Sequence, residues 1–158
     1  MKDFEKAKEE VIKKNNKLLE KFEEYLTKQY LCKTTIASHI NNIDLYINSF
    51  LVNYISYTDK DGNTKIADAI DGVVFELVDE YLGDFFIRKV LTSDEQEIKV
   101  NITSLRKFYT FLKQEGLITD IDLIDLIEGI RDYKDKWIRK INLYNDPDVD
   151  IEEIFDEF

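Results

Sequence analysis

The chain has 158 residues, 33 Asp and Glu against 22 Lys and Arg for a formal charge of −11, and 44% hydrophobic residues that include ten Phe and nine Tyr. That is apolar material enough for the core of one domain, and it excludes an intrinsically disordered chain. Five Gly, one Pro and a single Cys exclude a Gly- or Pro-rich linker and an internal disulfide, and no stretch approaches the ~18 uninterrupted apolar residues of a membrane span.

The opening MKDFEKAKEE is charged where a signal peptide would be apolar, so a cytoplasmic location is expected. Residues 3–30 predict a long helix, with Phe4, Ala7, Val11, Leu18, Phe22, Tyr25 and Leu26 on one stripe. Its first third is the most polar and is expected to fray. A break follows at YLCKTT, where Thr34 or Thr35 is placed to cap a second helix. That helix, roughly 35–54, carries Ile36, Ile40, Ile43, Ile47, Phe50 and Tyr54 on one face. Its period collapses in YTDKDGNTK, where Asp61-Gly62 signals a turn or short ribbon over 57–66.

Helical spacing returns after Gly72, with Val74, Leu77, Val78, Tyr81 and Phe85 sharing a face through about Leu91. Ser93 with Gln96 reads as a capping box for a helix that runs to Glu115 and stops at Gly116. Thr119 or Asp120 opens the last long helix, which carries Leu123, Leu126, Ile130, Tyr133, Trp137, Ile141 and Tyr144. Pro147 ends it, and an acidic tail over 146–158 interleaves Val149, Ile151, Ile154 and Phe155 with seven acids and no base. The expectation is an all-α domain over 1–145 with about five helices, a surface insertion at 57–66, and that tail. Without the seven tail acids the charge would be −4, so much of the acidity sits in an appendage.

The sequence carries few motifs of known chemistry. There is no phosphate-binding glycine loop, nucleophile elbow or zinc spacing. The DKDGNTKIAD loop superficially resembles a calcium loop, but Tyr57 would stand where the first carboxylate ligand belongs. His39 is the sole histidine and sits at the edge of an apolar stripe, where a packed histidine is the ordinary case. Cys32 precedes a helix start, which lowers a thiol pKa, although a half-buried inert residue is the plainer expectation. The acid pairs Asp79-Glu80 and Glu152-Glu153 read as solvated charges. No cofactor, no metal and no enzymatic activity are expected.

One stripe suits phosphate. At 100° per residue Ile98, Ile102, Leu105, Tyr109 and Leu112 fall in one arc, and Lys99, Arg106 and Lys113 fall together beside it. Thr103 and Thr110 adjoin them, and Lys107 lies further round. Cations at such spacing release counterions from a phosphate backbone, and hydroxyls fix register. The other reading is a solvated face whose bases pair with nearby acids.

Residues 18–51, LLEKFEEYLTKQYLCKTTIASHINNIDLYINSFL, resemble the opening of the SAM-like core-binding domain of tyrosine recombinases (phage integrases). That family joins its first two helices through S-x-x-T-x-x-x-Y. Here Cys32 stands at the Ser, Thr35 matches the Thr, and His39 replaces the Tyr. VDEYLGDFFIRK (78–89) resembles the third helix. NITSLRKFYTFLKQEGLI (101–118) is similar to the fourth, L-R-x-F-Y-x-F-L-x-x-x-G-L-I, at Leu105, Arg106, Phe108, Tyr109, Phe111, Leu112, Gly116, Leu117 and Ile118.

The resemblance spans about 100 residues around the DKDGNTK insertion. It implies a SAM-like bundle that clamps double-stranded DNA through Lys33, Thr35, Arg88, Lys89, Lys99, Thr103, Arg106, Lys107 and Lys113. Recombinase catalysis also requires a larger domain with an Arg, a Lys, a His-x-x-Arg motif and a nucleophilic Tyr. Here His39 precedes Ile-Asn-Asn, and only four arginines occur. The expectation is therefore a free-standing, non-catalytic DNA-binding module of mobile-element origin. The alternative is an acidic protein-interaction module that keeps the fold, has lost DNA, and engages a basic protein through its surface or tail.

Overall fold

The computed structural model describes residues 2–90 and 93–156. The protein is all-α apart from one small hairpin. Its contacts divide it into two compact units, Met1–Asp71 and Gly72–Phe158.

The first unit opens with α1, Lys2–Thr27. The expected stripe holds at Phe22 and Leu26, which are buried, whereas Leu19 takes the buried place that the spacing assigns to Leu18, itself only half-buried. Near the start Phe4 is exposed, with the Lys8 ammonium 5.0 Å from its ring, and the helix extends from Lys2. Buried Asn15 ties α1 to the next helix by donating to the Ile47 carbonyl (3.2 Å) and to Asn48 Oδ1 (3.0 Å). Satisfying both of its N–H groups removes the cost of burying an amide. Tyr30 then adopts φ 60°, the left-handed conformation that turns the chain.

The second helix is built from α2 (Lys33–Asp44), a π-helical segment (Leu45–Leu51) and α3 (Val52–Tyr54). Ile36, Ile43, Ile47 and Phe50 are buried as the spacing predicts. Tyr54 is exposed instead, while Tyr46, Leu51 and Val52 are buried. The π segment explains the change at Leu51, Val52 and Tyr54, because i→i+5 bonding adds a residue to the turn and rotates all that follows relative to an α-helical count. The residue preceding the helix is Cys32, in extended conformation, rather than Thr34 or Thr35. It is exposed rather than half-buried, whereas His39 is buried as expected.

The insertion is an antiparallel hairpin of β1 (Ser56–Thr58) and β2 (Thr64–Ile66), paired Ser56 with Ile66, Tyr57 with Lys65 and Thr58 with Thr64. Asp59 organises its loop by accepting the amides of Asp61 (3.0 Å) and Asn63 (2.9 Å) on Oδ1. Gly62 supplies the φ of +82° that the return needs.

The second unit begins with α4 (Val74–Glu80), a π-helical segment (Tyr81–Phe85) and α5 (Phe86–Lys89). Leu91, where the sequence pattern ends this helix, lies outside the described residues. Val74, Val78 and Tyr81 are buried as predicted, but Phe85 yields its place to Leu82, Phe86 and Ile87. The physical reason is again the widened turn.

Next comes α6, Glu95–Gln114. Its cap is Asp94, whose Oδ1 accepts the Glu97 amide at 2.9 Å, one position on from the expected Ser93. Ser93 is buried, and its carbonyl accepts from Asn145 Nδ2 (2.9 Å). Gly116 ends the helix at φ +75°, with Leu117 N donating to the Leu112 carbonyl in a Schellman closure.

The long helix α7, Asp120–Tyr144, carries a complete capping box between Thr119 and Asp122. Both Thr119 contacts hold the Asp122 carboxyl below its ordinary pKa, the backbone amide being the larger influence. Leu126, Ile130, Trp137 and Ile141 face the core, and Tyr133 lies nearer the surface. Gly129 is conspicuous in mid-helix, where glycine costs about 1 kcal/mol against alanine. A Cβ there would overlap the Phe75 ring, so the notch admits an aromatic from α4.

Helix α8, Ile151–Asp156, packs on α7, with Ile154 buried and the Phe155 ring edge-on to Tyr144 at 6.4 Å.

Candidate nucleic-acid interface

Helix α6 buries a broader arc than the spacing indicates. Phe108 and Phe111 join Ile98, Ile102, Leu105, Tyr109 and Leu112 in the interior. The remaining face carries Lys99, Thr103, Arg106, Thr110 and Lys113, none of them buried. Residues seven apart are about 10.5 Å apart along an α-helix, so the three cations form one solvent-facing line. Lys107 is half-buried at its edge.

The line is partly neutralised. Lys99 Nζ lies 3.3 Å from Glu95, and Lys113 Nζ lies 3.1 Å from Asp120. Lys99 is also the main reason that the Glu95 carboxyl sits below its usual pKa, with Asn142 adding a second hydrogen bond. Thr103 and Thr110 donate their hydroxyl hydrogens back to the Lys99 (3.3 Å) and Arg106 (2.7 Å) carbonyls. A phosphate accepts hydrogen bonds, so those hydroxyls must first let go. Among the described residues Arg106 and Lys107 meet no acid within 4.0 Å.

Arg88 and Lys89 close α5, both exposed. Lys89 meets no acid among the described residues. Arg88 is engaged twice, through Nε to Asp84 (2.8 Å) and through its guanidinium carbon 3.6 Å from the Phe155 centroid. Lys140, which sequence spacing does not single out, joins the same cluster. Its ammonium lies 5.4 Å from the Phe155 centroid and donates to the Gly83 carbonyl (3.1 Å). Burial, reinforced by neighbouring Lys136, lowers its pKa. The tail thus covers cations with an aromatic ring, a form of attraction that the acid count of the segment does not suggest.

Lys33 and Thr35 belong to the first unit. Lys33 is exposed at the first turn of α2. The Thr35 hydroxyl is 3.1 Å from Cys32 Sγ. That hydroxyl and the amides of the helix start hold the exposed thiol below its ordinary pKa. Cys32 is accordingly expected to react with iodoacetamide at a lower pH than a free cysteine thiol. Thr35→Val removes the largest contribution and is expected to move the midpoint of the rate–pH profile back up.

Asp79, read from the sequence as a solvated acid, accepts the Trp137 indole N–H at 2.8 Å. The partner is 58 positions away, too far for any local pattern to reveal. Among the described residues no group of three or more His, Cys, Asp or Glu is arranged to hold a metal ion. No helix among them is long and apolar enough to cross a membrane. No protein-family model matches the chain, and neither a curated protein nor a solved structure matches it significantly.

Proposed function

We propose that this chain is a non-catalytic, cytoplasmic double-stranded DNA-binding module of the integrase core-binding type and of mobile-element origin. Its affinity is weak or regulated. The observation that carries this reading is the solvent-facing line on α6, where Arg106 and Lys107 stand without acidic partners between two exposed ion pairs. Exposed pairs contribute little, about 0–1 kcal/mol, so a phosphate can displace Glu95 or Asp120 at small cost. Lys33, Arg88 and Lys89 supply further exposed cations.

The same two ion pairs, with the charge of −11, favour a second reading, an acidic protein-interaction module. A fluorescent duplex titrated at two salt concentrations separates the two. DNA binding predicts a steep fall in affinity with salt, and Arg106→Ala with Lys107→Ala is expected to flatten the slope of log K against log salt by about two. No binding at low salt, or a slope unchanged by the double variant, rejects the DNA reading.

A further inference from the structure

Between Lys113 and Arg131 the chain contains no base, five acids and eight Leu or Ile. This stretch forms the α6–α7 turn and the first half of α7. Its Leu126 and Ile130 face the core. On the opposite side Ile121 is 69% and Ile124 53% exposed, and Leu117 in the turn is 45% exposed. Helix geometry sets Ile121 beside Asp125 and Ile124 beside Glu128, each pair four residues apart, so all four share one face. Asp120 and Asp122 are already occupied, by Lys113 and by the capping box. Asp125 and Glu128 have no such engagement, and no Lys or Arg among the described residues lies within 4.0 Å of either.

Nothing in the helix itself requires this face. β-Branched residues are poorer helix formers than Leu, Glu or Lys, and exposed isoleucine gains nothing from water. We infer that the exposed Ile121–Ile124–Asp125–Glu128 face of α7 is a docking surface for a Lys/Arg-rich amphipathic segment of another protein. Such a segment would set apolar anchors one helical turn apart on the isoleucines and its flanking cations on the carboxylates. Charge chooses this occupant over the others. A second copy meeting the face through a two-fold axis would gather four carboxylates, Asp125 and Glu128 from each copy, into one interface with no cation on this face to offset them, and an anionic membrane surface would repel them. The surface does not depend on DNA binding, because it lies on the α7 side of the turn and uses none of the α6 cations.

The experiment uses the full chain and a labelled helical Leu/Lys peptide, about five turns long, in fluorescence anisotropy at about 0.15 M salt. The wild type is expected to bind. Ile121→Ser with Ile124→Ser is expected to weaken binding by about tenfold or more at an unchanged melting temperature, since both side chains are exposed. Asp125→Asn with Glu128→Gln is expected to weaken it comparably and to reduce its salt dependence. Glu9→Gln with Glu10→Gln makes the same charge change on exposed positions of α1 and is expected to leave binding as it was. Equal loss in this control, or indifference to the isoleucine changes, overturns the inference. Concentration-dependent self-association of the wild type, abolished by the isoleucine changes in sedimentation, overturns it in favour of a second copy.

Discussion

Trp137→Ala is expected to lower the stability of the protein by about 3–5 kcal/mol, the range for deleting a buried indole. The ring is wholly buried, is hydrogen-bonded to Asp79 and lies 6.3 Å from the Phe75 ring. It also sits 3.1 Å from where a Cβ on Gly83 would stand, so the π-helical segment has been cut to fit it. Alanine would leave a cavity among groups that cannot close over it, and the half-buried Asp79 carboxylate would lose its donor. At about 2–4 °C per kcal/mol for a chain of this length, calorimetry resolves the change easily. Trp137→Phe restores most of the packing but not the indole N–H, and is expected to fall between the two. An unchanged melting temperature for Trp137→Ala would show that α7 contributes nothing to the core.

Ending the chain after Asn145 is the second large change. It removes seven acids, taking the formal charge from −11 to −4, and takes away buried Ile154 with Phe155. A loss of about 1–3 kcal/mol is expected from the exposed apolar surface alone. On the DNA-binding reading, Arg88 and Lys140 also come free of the Phe155 ring. Affinity for duplex DNA at low salt is then expected to rise about tenfold beyond what the charge change achieves by itself. The comparison is a full-length variant with the seven acids of α1, all exposed, changed to amides, which likewise has a charge of −4. Equal gains from the two proteins would reduce the tail to its net charge.

Much of this architecture is legible in the residue pattern, because it is carried by local signals. The turn at Asp61-Gly62, the stop at Gly116, the Thr119 cap and the three- and four-residue spacing of the α6 core arc are each set by residues a few positions apart. What escapes the pattern depends on distant partners or on altered helical pitch. A constant 100° step places Tyr54 and Phe85 on buried faces, and each lies where a π-helical segment has changed the count. Asp94 outcompetes Ser93 as a cap although both residue types cap well, because Ser93 is drawn inward where its carbonyl meets Asn145. The cations of α6 are visible in sequence, but their neutralisation is only half so. Glu95 is an i,i+4 neighbour of Lys99, whereas Asp120 reaches Lys113 only because the turn folds back. The attachment of Phe155 to Arg88 and Lys140 joins positions far apart in the chain, and acidic composition conceals it.

The two π-helical segments carry a consequence for how this fold tolerates change in chain length. Each holds a residue more than α-helical bonding over the same rise would require, so a one-residue deletion within Leu45–Leu51 or Tyr81–Phe85 can be absorbed by reversion to i→i+4 bonding. The helix beyond keeps its facing toward the core. The same deletion within α7 has no slack to draw on, and it would swing every later side chain by 100°, turning Trp137 and Ile141 off the buried stripe. Gaps in the alignment of diverged sequences with this fold therefore belong inside those two helices, at their widened turns, as well as in the loops.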